Sequence, residues 1–90
     1  MPKFVIERTI PDAAHWTATE RHEVAAKSCR VIRDIGPQIQ WVHSYVTDGK
    51  LYCVYNAPNP ELIREHGFRG GFPVDSVREV LNIMDPTTAD

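Results

Sequence analysis

Two apolar runs, residues 39–46 and 51–56, are separated only by Thr47-Asp48-Gly49-Lys50. Both are rich in β-branched and aromatic residues, and Asp-Gly closes tight hairpins, so the segment predicts two antiparallel strands joined by a two-residue turn. That turn sets Trp41 opposite Asn56, His43 opposite Val54 and Tyr45 opposite Tyr52. Side chains alternate along a strand. One face therefore carries Trp41, His43, Tyr45, Tyr52, Val54 and Asn56, and the other Val42, Ser44, Val46, Leu51, Cys53 and Tyr55. Neither face is polar. An antiparallel sheet with helices on one side is expected to show polar residues on the other, so the second apolar face predicts a further cover. A homodimer packing sheet against sheet supplies it.

The flanking sequence supplies the other elements. Residues 3–9 alternate, with Phe4 and Ile6 set against Val5 and Glu7, and read as a strand closed by Pro11-Asp12. Thr17-Ala18-Thr19-Glu20 has the capping-box spacing, with Trp16 placed as the staple residue before it. Ala25, Ser28, Cys29, Ile32 and Ile35 then recur at three- and four-residue steps, which predicts an amphipathic helix ended by Gly36-Pro37. Asn59-Pro60-Glu61 opens a second helix through about residue 69, and Gly70-Gly71-Phe72-Pro73 stops it. Residues 74–84, with Val77, Val80, Leu81 and Ile83, read as a final strand before a polar tail at 85–90. The order β-α-β-β-α-β predicts an α+β, ferredoxin-like sandwich: one domain over 1–90, with a four-stranded antiparallel sheet and two helices on one face.

A chain of 90 residues buries a small core, so a disulfide, a metal or a partner subunit is expected to add to it. Cys29 and Cys53 are only two and lie inside apolar-periodic segments, where buried, reduced thiols are the expectation. Ten Lys+Arg against 12 Asp+Glu, scattered and summing to −2, argue against nucleic acid and against an anionic membrane surface. No apolar stretch approaches the roughly 20 residues of a membrane span, and the N-terminus lacks a signal-peptide pattern. A cytoplasmic location is the expectation.

Four histidines are the candidate chemistry. His43 sits between Trp41 and Tyr45, with Tyr52 and Asn56 across the hairpin, so several polar tips converge on an apolar wall. His66 follows Leu62 and Ile63 on the second helix and points to its apolar side. His22 lies at the edge of the first helix's apolar stripe, and His15 in the loop before it. Imidazoles drawn from separate elements suit nickel, copper or zinc, yet no Cys-x-x-Cys, His-Glu-x-x-His, phosphate loop or nucleophile elbow is present.

Three stretches carry a resemblance over nearly the whole chain: Trp-Val-His-Ser-Tyr-Val at 41–46, Leu-Tyr-Cys-Val-Tyr-Asn-Ala-Pro at 51–58, and Ile-Arg-Glu-His-Gly-Phe-Arg-Gly-Gly-Phe-Pro at 63–73. In these the chain resembles a family of small bacterial proteins, a domain of unknown function with members described as nickel-binding ferredoxin-like dimers. Relatives often carry an acid before the Ala-Pro, where this chain has Asn56. The resemblance implies binding or sequestration of a nickel ion by a cytoplasmic homodimer, with His43 and His66 as the transferable metal donors, and His22 is a further candidate donor. His43 and His66 share one ion only if the face bearing His43 is the one the helices cover. The same plan also resembles the dimeric α/β-barrel monooxygenases and isomerases. That likeness implies a pocket in which His43 acts as a base and Tyr45, Tyr52 and Asn56 orient a small substrate.

Overall fold

The computed structural model describes all 90 residues. Strand β1 (Lys3–Thr9) is followed by a 3-10 turn (Pro11–His15), helix α1 (Ala18–Ile35), strands β2 (Gln40–Val46) and β3 (Lys50–Asn56), helix α2 (Pro60–Gly70) and strand β4 (Ser76–Glu79). The four strands form one sheet in the order β2-β3-β1-β4, and every neighbouring pair is antiparallel. This is the predicted ferredoxin-like α+β arrangement.

Local chemistry sets the helix ends. Thr17 Oγ1 accepts from the Glu20 amide at 3.1 Å while Glu20 Oε1 accepts from the Thr17 amide at 3.0 Å, so two free donors at the start of α1 are satisfied at once. Asn59 Oδ1 accepts from the Leu62 amide at 2.9 Å and begins α2. Gly71, in the left-handed region at φ 71°, ends it.

Alternation along β1 and β3 divides the sheet into two faces. Phe4, Ile6 and Arg8 of β1 and Leu51, Cys53 and Tyr55 of β3 are buried together on the face that carries both helices. Ile39, Ala57 and Ile63 complete the core, with Ile32, Ile35 and Leu62 of the helices packed on it. Full burial of an aliphatic side chain such as Ile6 or Ile63 contributes about 1.5–3 kcal/mol. Val5, Glu7, Tyr52, Val54 and Asn56 point the other way, partly exposed on a face that no helix covers.

Three expectations are corrected. The turn pairs His43 with Val54 and Tyr45 with Tyr52 as predicted, but Trp41 faces Tyr55 instead of Asn56, because Val42 is an extra residue bulging out of the ladder. The bulge moves Trp41 to the helix-covered face, where its Nε1 donates to Ser44 Oγ at 2.9 Å. Cys29 is exposed rather than buried, since the inward stripe of α1 runs through Val24, Ala25, Ser28, Ile32 and Ile35. The last strand stops at Glu79, well short of residue 84. The Val80 amide still donates to the Lys3 carbonyl at 2.8 Å, but β1 begins at Lys3, so no strand runs beside the residues after Val80. Leu81, Ile83 and Met84 are left exposed, and one 3-10 turn (Pro86–Ala89) follows.

Candidate functional site

The two principal histidines lie on opposite faces of the sheet. His43, opposite Val54, is exposed on the uncovered face and meets Tyr45 edge-on, with ring centroids 4.9 Å apart. His66 is fully buried on the helix-covered face. Its place follows from α2, in which Ile63, His66, Gly67 and Gly70 recur at three- and four-residue steps and form the buried stripe. The two imidazoles therefore do not share a site within one chain. His22 is exposed on α1 and His15 in the 3-10 turn before it.

Around His66 the fold gathers polar groups that do not match one another. Its Nε2 is hydrogen-bonded to Ser28 Oγ of α1 at 3.0 Å, while Nδ1 has no partner. Its ring packs against Tyr55 at 5.2 Å and Phe72 at 5.5 Å. A Cβ at Gly70 would collide with the Phe72 ring, so that glycine permits the stack. Burial, reinforced by the nearby Arg8 charge, lowers the His66 pKa to about 4, which leaves the imidazole neutral at pH 7. Burial likewise pushes the Tyr55 phenol up, with Arg8 opposing.

Arg8 was not singled out from the sequence. It is 2% exposed, Nη1 donates to the Pro73 carbonyl at 2.9 Å, and its guanidinium stands 5.6 Å from the Phe72 ring centroid. Nη2 has no partner, and no carboxylate pairs with the side chain. The signal was available: in the alternation of residues 3–9, Arg8 shares its parity with Phe4 and Ile6. It was obscured because arginine is so seldom buried without a counter-charge.

The residues present do not assemble a metal centre in one chain. Nowhere do three or more His, Cys, Asp or Glu side chains come together as a ligand group. The three main cavities are lined by neither His43 nor Tyr45, Tyr52 or Asn56. No helix is long and apolar enough to cross a membrane.

Fold and site together define a small α+β domain with one helix-covered face and one open, histidine-bearing face. The chain belongs to the nickel-responsive protein SCO4226-like family, whose model matches residues 4–80. Among solved structures, the crystal structure of SCO4226 from Streptomyces coelicolor A3(2) superimposes with a TM-score of 0.76 at 18% sequence identity, covering 91% of this chain and 99% of that one. At that identity the likeness establishes the fold. Comparison with curated proteins gave no match.

Proposed function

We propose that the chain binds nickel as a homodimer and sequesters it in the cytoplasm, at a site completed between two copies whose uncovered sheet faces meet. The carrying observation is His43: an exposed imidazole on an uncovered, partly apolar sheet face, in a chain whose family is nickel-responsive. One imidazole does not hold a nickel ion, and no chain alone gathers three donors. A two-fold axis through that face brings His43 towards its own copy and doubles the donors. Tyr52, Val54 and Tyr45 beside it offer the apolar area such an interface needs. Cys29 and Cys53 are unpaired, which fits a reducing compartment.

His66 is outside this donor set. It is enclosed on the opposite face, and a dication there would meet the charge of Arg8. His22, exposed on α1, stands apart from the sheet.

Calorimetric titration of metal-free protein with nickel, run beside sedimentation velocity, tests the reading. The expected result is saturable heat at micromolar nickel from a dimer, reduced at least about tenfold in affinity by His43→Ala. His66→Gln and His22→Ala are expected to leave it unchanged. A monomer at micromolar concentration, or equal binding by His43→Ala, overturns the proposal.

A further inference from the structure

A guanidinium is charged at every physiological pH, so burying Arg8 without an anion is costly. One carbonyl and one aromatic face do not neutralise it. The side chain lines a cavity of ≈ 40 Å³ between α1 and the sheet, several times what one water needs. This space exists because the facing side chains are small: Ala25 and Ser28 from α1, Ser44 and Cys53 from the sheet. A second, wider hollow of ≈ 190 Å³ adjoins it and shares the walls Val24, Ala25, Trp41, Ser44 and Leu51. The second hollow reaches half-exposed Trp16 and the exposed Val46 and Arg21. Taken together as one groove, they place the unpaired Arg8 cation at the inner end and Trp16, Val46 and Arg21 at the outer.

We propose that this groove binds a small organic monoanion, a carboxylate with a short apolar chain, whose head group pairs with Arg8 and whose chain lies along Trp41 and Leu51. Arg8 suits a carboxylate because its planar donors match the two oxygens. The apolar walls select against bare inorganic anions, which would lose their hydration without compensation. Tyr55 and Ser28 also line the inner end. The site lies on the opposite side of the sheet from His43 and does not depend on nickel.

The test is calorimetric titration of the full chain in the presence of a chelator, with hexanoate as the probe. Hexan-1-ol serves as the uncharged counterpart and acetate as the head group without the chain. Hexanoate is expected to bind at least about tenfold more tightly than either. Arg8→Met should reduce hexanoate binding to the level of hexan-1-ol. Ala25→Leu narrows the groove without touching the cation, and it should weaken hexanoate by a similar factor. If Arg8→Met does not fold, Ala25→Leu and the comparison of the three ligands decide. Equal binding of hexanoate and hexan-1-ol, equal binding of acetate and hexanoate, no heat at about 10 mM hexanoate, or undiminished binding by Ala25→Leu each overturns the proposal.

Discussion

The two faces of this sheet are made from the same strands and do opposite things with polar groups. On the helix-covered face, Arg8 and His66 are buried with one polar atom each unpartnered, and the fold bears their desolvation. On the uncovered face, polar groups are solvated or paired: Lys50 Nζ lies 3.0 Å from Glu7 Oε1, and His43 and Tyr45 are exposed. The contrast shows where a ligand has most to offer. A group already solvated gains little from a partner, whereas a buried unpaired cation gains what burial took from it.

Core truncation should separate the faces most widely. Ile6→Ala or Ile63→Ala is expected to cost about 2–5 kcal/mol in denaturant unfolding, and Val54→Ala on the other face less than about 1 kcal/mol. A loss at Val54 that matches the core and depends on protein concentration would show that face covered by a second copy.

Next in size is the acid response of His66. Its folded pKa of about 4 lies below the ordinary 6.5, so the unfolded chain binds the proton first. Stability is therefore unaffected above pH 6.5 and falls as pH drops from 6.5 to 4, by roughly 3 kcal/mol in all. His66→Gln should remove that component of the pH dependence; an unchanged profile would refute it.

Thiol labelling gives a smaller contrast. Cys29 should react with a soluble disulfide reagent in the folded protein, while Cys53, on the helix-covered face, should react only through unfolding and should track denaturant. Equal rates would mean that α1 lifts freely from the sheet. The least effect is expected at the Lys50–Glu7 pair. Lys50→Ala should lower the melting temperature slightly in dilute buffer, and that difference should vanish in molar salt.

Much of the architecture was legible because its cues are local. The Asp48-Gly49 turn holds His43, Tyr45 and their partners in the expected register, and the Thr17–Glu20 box and the Asn59 cap start both helices where expected. What escaped depends on neighbours. Strand β4 is apolar enough to continue, but strands need a backbone beside them, and β1 offers none beyond Lys3. Cys29 sits one residue from Ser28 at the margin of the stripe, where a rotation of the helix decides exposure. Of the site, the burial of His66 followed from its spacing to Leu62 and Ile63. The uncompensated charge of Arg8 did not, since it is defined by acids that are absent from three dimensions.

Val42, the extra residue in β2, bears on how this chain could change over time. Were Val42 drawn into the ladder opposite Tyr55, strict alternation would return, and the indole of Trp41 would pass from the groove wall to the open side with no residue exchanged. The groove would lose its largest wall, and the surface around His43 would gain an aromatic ring. The division of labour between the two sides thus hangs on one step of register in β2, set by the backbone and not by the identity of any wall residue.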